Sequence, residues 1–220
     1  EQGSEMYTSN IPKPSQRWKK KKSRNLKQIK PTRHEAGFGF TLSRYVIRAN
    51  IICMNHPSIR ILGIDPGFGR TGLGVIDLSG GNATHVWHEV IETSKEEDFS
   101  TRLIVVRNDV AEAIRRFSPQ CVAVESLFFQ TNVRTAMKVG MARGVILLAI
   151  ADAGVPLIEL TPNQVKQGIA GWGGADKRQV QDMVKRLLKL SVAPKLDDAS
   201  DALALAIVGG YAWKTGTMRA

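Results

Sequence analysis

The chain has 220 residues, of which 43% are hydrophobic and 23% are charged, as expected for one soluble globular domain with an appendage. No apolar stretch is long enough to cross a bilayer, and the two cysteines lack the spacing of a metal site or a disulfide framework, so we expect a cytoplasmic protein with no membrane partner. The net charge of +11 is uneven, because residues 1–57 hold 12 of the 31 basic residues and three of the 20 acidic residues. The rest carries a net charge of only +2, so any binding of nucleic acid there must come from local patches.

Residues 1–57 differ in character from the rest of the chain. The run Lys19–Lys22, scattered prolines and the lack of sustained periodicity predict a disordered basic extension. A nucleic-acid-binding arm and a transit peptide are the alternatives. A further expectation is that the natural protein starts at Met54, just before the first predicted strand, which N-terminal sequencing of the natural product would check. We expect a folded domain at 58–214 and a short tail at 215–220.

From residue 59 onward, the hydrophobic pattern predicts strands and helices in a regular order. The apolar runs 59–65, 71–77 and 83–92 are separated by glycine-containing turns, which predicts an antiparallel meander of three strands. Spacings of three and four between apolar residues predict the helices. The later elements are a helix at 100–117, a strand at 121–125, a helix at 131–153, a strand at 155–160, a glycine-rich loop at 168–174, and helices at 176–190 and 197–213.

This order of elements is that of the ribonuclease H-like fold. We therefore predict an α/β domain with a mixed five-stranded sheet, in which three antiparallel strands are followed by parallel strands and helices flank the sheet. In that fold the first and fourth strands are central neighbours, so their carboxyl ends meet at one edge, where α/β sheets place their sites.

Four carboxylates lie at the ends of buried elements. Asp65 and Glu125 end strands, whereas Asp198 and Asp201 lie three residues apart in the first turn of the last helix and project from one face. Taken singly, each has an ordinary structural explanation: a turn before Pro-Gly, a surface acid at a strand end, or helix capping. Because the predicted fold brings these ends together, a shared site is favoured. Acids without histidine or cysteine suit a hard divalent cation such as Mg²⁺.

Six short motifs occur in order between about Ile59 and Ala212. They are Gly63-Ile64-Asp65-Pro66-Gly67, Thr71-Gly72-Leu73-Gly74-Val75, Val124-Glu125-Ser126-Leu127-Phe128, Ala142-Arg143-Gly144, Gln164-Val165-Lys166-Gln167 and Asp198-Ala199-Ser200-Asp201-Ala202-Leu203-Ala204. This ordered set resembles the motifs of the RuvC family of bacterial Holliday junction resolvases. The resemblance does not extend to residues 1–57.

The resemblance implies a crossover junction endodeoxyribonuclease that acts in the bacterial cytoplasm during homologous recombination and DNA repair. Such an enzyme is a Mg²⁺-dependent homodimer that resolves four-way DNA junctions by symmetric paired nicks. Partnership with the RuvA–RuvB branch-migration complex is implied as well.

By the same resemblance, Asp65, Glu125, Asp198 and Asp201 are the catalytic acids and the ligands of two Mg²⁺ ions, for which Mn²⁺ is the expected substitute. We expect Asp65 to bridge the ions, with Asp198 completing one coordination shell or orienting the attacking water. Asp197 is a neighbour outside the motif.

The resemblance also implies DNA contacts. Phe128 corresponds to a family phenylalanine that stacks on a base near the cut, and Lys166 and Lys177 correspond to lysines near the scissile phosphate. Without the resemblance, Phe128 would fit equally in a core, and the two lysines would be ordinary solvated charges. The loop at 168–174, which carries Trp172, is either a mobile segment near the DNA or a plain connector.

Three alternatives use the same residues. A related ribonuclease H-like nuclease could act on RNA–DNA hybrids or linear DNA, but the motifs around Gly72 and Asp198 favour a resolvase. A catalytically silent junction-binding protein is disfavoured because all four acids are present. An actin-like ATPase also opens with an aspartate in a glycine-containing turn, but the chain is short for two such subdomains and shows no second phosphate loop.

Overall fold

The structure is a computed structural model that describes residues 58–126 and 133–216. The predicted extension at 1–57 and Phe128 lie outside these ranges. The described elements are β1 Ser58–Asp65, β2 Arg70–Ser79, β3 Asn82–Glu92, α1 Phe99–Phe117, β4 Cys121–Glu125, α2 Val133–Asp152, β5 Leu157–Leu160, α3 Pro162–Ala170, α4 Lys177–Leu187 and α5 Asp197–Thr215. Within the described residues, no helix combines the length and apolar character that a membrane crossing requires.

The five strands form one mixed sheet in the order β3-β2-β1-β4-β5. The β1–β2 and β2–β3 pairs are antiparallel, and the β1–β4 and β4–β5 pairs are parallel. The predicted meander and the predicted adjacency of the first and fourth strands are therefore confirmed. Cys121 is a buried free cysteine at the start of β4.

Helices cover both faces of the sheet, because side chains alternate between faces along each strand. Leu62 and Ile64 pack with α1 and α2 in one buried cluster. Gly63, one position out of phase, faces α5 on the opposite side of the sheet. The sheet thus forms the middle layer of three, with α1 and α2 on one side and α5 on the other.

Helix α5 lies unusually close to the sheet, because three glycines replace side chains beneath it. A Cβ atom on Gly63 would collide with the carbonyl oxygen of Ala202, and one on Gly74 would lie 2.8 Å from the backbone nitrogen of Leu203. We call Gly63, Gly72 and Gly74 the glycine floor. A glycine in a strand permits this kind of backbone approach, and it lets α5 bury most of its circumference.

The predicted loop at 168–174 is wrong in its first part, because helix α3 continues through Ala170. Thr161 and Gln164 form a reciprocal capping box and Pro162 occupies the first turn, so this short helix is stabilised at its start. The helix ends at Gly171, whose φ of 82° is in the left-handed region. Trp172 follows in the connection to α4 and is 56% exposed.

Helix α4 is shorter than predicted at both ends. Asp176 is its N-cap, where the carboxylate accepts a hydrogen bond from the backbone nitrogen of Gln179. The helix ends before Lys189, which has a φ of 51° and cannot continue a right-handed helix. As a consequence, Lys177 occupies the first helical position, directly after the cap.

Candidate active site

Two of the predicted acids are positioned by the β1–β4 ladder. The parallel pairing runs up to the residues just before Asp65 and Glu125, so both carboxylates leave the sheet at the same edge. Asp65 is in phase with Gly63, and Glu125 is in phase with Ala123. Both of those residues lie directly beneath α5. The two acids therefore project toward the α5 side of the sheet.

The other two predicted acids are positioned by the glycine floor. Gly72 pairs with Asp65 across β1 and β2, and a Cβ atom on Gly72 would collide with the carbonyl oxygen of Asp198. The first turn of α5 thus rests on the strand position next to Asp65. Asp201, one turn later, faces the same edge, and the charges of Glu125, Asp201 and Asp198 all act on Asp65. The structure thus brings the four predicted acids into one neighbourhood.

The turn that follows Asp65 is tightly built. The hydroxyl of buried Thr71 donates a hydrogen bond of 2.7 Å to the carbonyl oxygen of Gly67. Gly67 has no room for a Cβ atom, which would collide with the carbonyl oxygen of Arg70. This closure turns the chain back at once, so that Arg70 begins β2 beside the acids.

A cluster around Phe68 fixes the outer side of the same turn. The ring of Phe68 stacks on Phe99 with a centroid distance of 4.7 Å, and the guanidinium of Arg102 lies 3.7 Å from the Phe68 centroid. Thr93 donates its hydroxyl to the carbonyl oxygen of Phe68 and accepts a hydrogen bond of 3.0 Å from Arg102 Nε. Thr93, directly after β3, and helix α1 thus anchor the turn that carries Arg70.

Two basic side chains lie among the acids. Lys177 Nζ is 2.7 Å from Asp197 Oδ2 and 3.3 Å from Asp201 Oδ2. Arg70 Nε is 3.2 Å from Asp198 Oδ2, and its terminal nitrogen is 3.7 Å from Asp197 Oδ1. Asp197, which the sequence placed outside the motif, therefore contacts both cations. The hydrogen bond from Lys177 lowers the pKa of Asp197 to about 2.

The four predicted acids resist carrying negative charge together. Burial, followed by the charges of Glu125, Asp201 and Asp198, raises the pKa of Asp65 to about 8, although Lys177 partly opposes this. Burial is also the main cause that raises the pKa of Glu125, Asp198 and Asp201 above the usual carboxyl range. An additional positive charge nearby would lower these pKa values and allow the four acids to be ionised together.

The donor set fits a hard divalent cation, although the side chains are not arranged around one. Across 58–126 and 133–216, no three His, Cys, Asp or Glu side chains converge closely enough to hold a metal ion. Arg70 and Lys177 instead pair with Asp198 and Asp201. However, the buried Oδ2 of Asp198 accepts no hydrogen bond within the described residues. A bound cation would give this oxygen a partner and would stabilise the charged form of Asp65.

Arg143 supports the site from α2, a role that the sequence analysis did not assign. Its Nε donates a hydrogen bond of 3.1 Å to the carbonyl oxygen of Glu125, and its terminal nitrogen lies 2.7 Å from Glu159. The side chain is only 13% exposed. A buried arginine in a rather apolar helix was the available signal, because such a charge needs partners.

The predicted DNA contacts are located unequally. Lys177 lies at the acids, as described above. Lys166 is partly buried on α3 and makes no ion pair with the four acids among the described residues. Phe128 lies outside the described ranges, so its predicted role is untested.

Comparison with known proteins places the chain in a family. The family model for "Crossover junction endodeoxyribonuclease RuvC" matches residues 61–209, which include all four acids. The chain belongs to the RuvC family. A relative of that name from Thermosipho melanesiensis is 51% identical over 148 residues, which cover 67% of this chain and 94% of the relative.

Solved structures of the family agree with the described fold. RuvC from Thermus thermophilus is 39% identical, with a TM-score of 0.68 over 73% of this chain and 99% of that protein. RuvC from the same organism in complex with a Holliday junction substrate is 40% identical, with a TM-score of 0.70 over 73% of this chain and 98% of that one. The predicted ribonuclease H-like architecture is thus confirmed.

Proposed function

We propose that this RuvC family member is a crossover junction endodeoxyribonuclease that hydrolyses phosphodiester bonds in four-way DNA junctions. The observation that carries the proposal is the meeting of Asp65, Glu125, Asp198 and Asp201 at one edge of the sheet. The relatives that match nearly their full length carry this activity in their name. We propose recombination and repair in the bacterial cytoplasm as its setting and the RuvA–RuvB complex as a partner, on the resemblance alone.

We further infer that the four acids hold two Mg²⁺ ions, with Mn²⁺ as a substitute. Bound cations of this kind activate a water molecule and stabilise the departing 3′ oxygen in phosphodiester hydrolysis. Asp65, as the acid most affected by its three neighbours, is the candidate for the shared ligand. Because its pKa is raised to about 8, it holds a proton near neutral pH in the cation-free protein and would release it on cation binding.

Basic side chains would orient the DNA around these acids. Lys177 places a positive charge within 3.3 Å of Asp201, where it can attract the phosphate to be cut. Near the end of α4, Lys185 and Arg186, together with Lys189 just beyond the helix, line a surface cavity of about 400 Å³. We propose that these residues and Lys166 contact phosphates and that Phe128 stacks on a base, so that junction binding weakens steeply with salt.

We propose that α2 forms the contact between two copies of the chain. Met137, Met141 and Leu148 are each about half exposed, and they lie along one side of the helix at spacings of four and seven. Gly144 lies between them, with open space above it. A second copy is the occupant that symmetric paired nicking requires, because each copy has one cluster of four acids.

The dimer proposal is tested by light scattering on size-exclusion fractions. Met141→Glu should convert the dimer to a monomer and uncouple the two nicks, because a charge in an apolar interface is costly. Val192→Glu is the matched control, because Val192 is an exposed apolar residue in the loop before α5. A wild-type chain that is monomeric at all concentrations would refute the proposal.

The proposed activity is tested on a synthetic four-way junction and a linear duplex of the same sequence, each with and without Mg²⁺. Paired nicks on the junction alone, and only with Mg²⁺, are expected. Equal cleavage of the linear duplex, or preference for an RNA–DNA hybrid, would favour the other ribonuclease H-like nucleases. Binding without cleavage would favour a silent junction-binding protein.

We also propose that the folded domain spans 58–214, preceded by the basic extension at 1–57 and followed by a short tail at 215–220. The family match to residues 61–209 supports the folded part of this division. Limited proteolysis followed by mass spectrometry should release a stable fragment near residue 58. A stable fragment that retains residues 20–57 would contradict it.

A further inference from the structure

Arg70 holds an unusual position at the edge of the acid cluster. Its Nε lies 3.2 Å from Asp198 Oδ2, yet that buried oxygen accepts no hydrogen bond within the described residues. The second contact of Arg70, to Asp197 Oδ1, is longer at 3.7 Å. The guanidinium therefore neutralises Asp198 by proximity, without the aligned hydrogen bonds that fix a strong arginine–carboxylate pair.

The backbone and the side chain of Arg70 differ in how firmly they are held. The backbone ends a turn closed by the bond between Thr71 and Gly67 and anchored through Phe68. The side chain is 46% exposed. Lys177 is held differently, because it forms a 2.7 Å hydrogen bond with Asp197 in addition to its 3.3 Å contact with Asp201. Of the two basic residues, Arg70 is the one whose contacts with the acids include no hydrogen bond within the described residues.

We propose that Arg70 is a resident counter-cation of Asp198 that changes place with the incoming divalent cation and then binds a phosphate of the DNA. This inference rests on the proposed function. A divalent cation on Asp198 would lie within a few ångströms of the guanidinium, where like charges repel strongly. Once displaced, the guanidinium would lie at the solvent-exposed edge of the acid cluster. Its planar set of N–H donors suits a phosphate group.

The exchange predicts two effects of opposite sign when the charge of Arg70 is removed. The cation should bind more tightly without DNA, because a competitor for Asp198 is gone. Junction DNA should bind more weakly once a cation is present, because a phosphate ligand is gone. A purely structural role would weaken both kinds of binding, and a surface charge remote from the acids would leave the cation affinity unchanged.

The first experiment titrates Mn²⁺ into the full-length protein without DNA and follows free Mn²⁺ by electron paramagnetic resonance. Arg70→Gln should bind Mn²⁺ about fivefold more tightly than wild type, the scale of a partly exposed ion pair. Arg107→Gln is the matched control, because Arg107 is also 46% exposed and lies 3.2 Å from its partner Asp152 on the exposed surface. An affinity for Arg70→Gln equal to or below that of wild type would overturn the proposal.

The second experiment measures junction binding by fluorescence anisotropy in Ca²⁺, a hard cation that also takes oxygen ligands, and in EDTA. Arg70→Gln should lose about fivefold in affinity with Ca²⁺ and lower the salt slope by about one. The loss in EDTA should be smaller, and Arg70→Lys should restore part of the affinity. An equal loss in both conditions, or none, would refute the exchange. Wild-type protein that failed to cut junctions would overturn the proposed function while leaving the Mn²⁺ result interpretable.

Discussion

The four acids reach the same edge of the sheet by two different routes. Asp65 and Glu125 are ends of adjacent parallel strands, so the backbone hydrogen-bond ladder sets their spacing. Asp198 and Asp201 belong to a helix with no hydrogen-bonded register to the sheet. Their position depends on how closely α5 can approach Gly72, where any side chain would collide with the helix backbone.

The two routes differ in what can disturb them. The strand acids should move only if the hydrogen bonds between β1 and β4 break. The helix acids should move if a methyl group is added to one residue of the glycine floor. The chemistry differs too: Asp65 is the most strongly perturbed carboxyl, while Asp198 and Asp201 have Arg70 and Lys177 beside them. Asp65 thus stays protonated near neutral pH, whereas each helix acid has a basic side chain within 3.3 Å.

The largest effect is expected from the strand side. Asp65→Asn should lower junction cleavage about 1,000-fold or more while junction binding persists, because it removes the proposed shared ligand without changing the shape. Single-turnover cleavage and anisotropy measure the two quantities. Asp77→Asn is a control, because Asp77 is a partly buried acid of the same sheet that pairs with Arg60. Loss of binding together with cleavage, or near-normal cleavage, would contradict the ligand assignment.

The next largest effect tests the helix side. Gly72→Ala should destabilise the protein by about 2–4 kcal/mol and weaken Mn²⁺ binding, because the first turn of α5 must move away from Asp65. Chemical denaturation and Mn²⁺ titration provide the measurements. Gly173→Ala is the control, since a Cβ atom there would lie 3.9 Å from the carbonyl oxygen of Asn163. Unchanged stability of Gly72→Ala would show that the glycine floor does not set the position of α5.

A smaller effect concerns pH. Without a cation, the folded protein keeps a proton on Asp65 up to about pH 8, whereas the unfolded chain releases it near pH 4. The folded state therefore binds more protons in this interval, and the free energy of unfolding falls as pH rises through it. Asp65→Asn should reduce this fall and be more stable than wild type by about 1–3 kcal/mol at pH 8 in EDTA.

Urea denaturation at pH 5 and pH 8 measures the difference. The other raised carboxyls should preserve part of the pH dependence in the variant. Saturating Mg²⁺ should reverse the order of stability at pH 8, because the wild-type carboxylate then has its partner. Identical pH slopes for the two proteins in EDTA would refute the raised pKa of Asp65.

The smallest effect is expected at Arg143. Arg143→Lys keeps the charge but cannot reach both Glu159 and the carbonyl oxygen of Glu125, so cleavage should fall about tenfold or less with little change in junction affinity. Arg60→Lys is the matched control, because Arg60 makes two 2.8 Å contacts with Asp77 away from the acids. Equal cleavage by the two lysine variants would show that Arg143 does not help to position Glu125.

The strand acids could be predicted from the sequence, because apolar runs that end in an acid reveal both the strand and its end. The helix acids were predicted from their spacing and from the resemblance, but the reason for their position was not. Gly72 and Gly74 were recognised as strand residues, and only the structure shows that their missing side chains make room for α5. Close approach between distant segments leaves no periodic signal in a sequence.

Other parts could not be predicted for different reasons. Helix α3 has nine residues, too few to show a clear period, although its capping box at Thr161 and Gln164 was readable. The pairing of Arg70 with Asp198 joins residues that are far apart in the chain, and a single charge at the start of a strand does not indicate its partner. Asp197 was set aside because it lies outside the motif, yet it contacts both basic residues.

The burial of α5 has a consequence for how the enzyme is made. Translation delivers Asp197–Thr215 after every strand of the sheet, and this helix supplies both two of the four acids and much of one core face. A nascent or prematurely terminated chain that lacks it therefore lacks half of the proposed ligands as well as the support of its sheet. The same segment thus supplies two of the four acids and completes one face of the core.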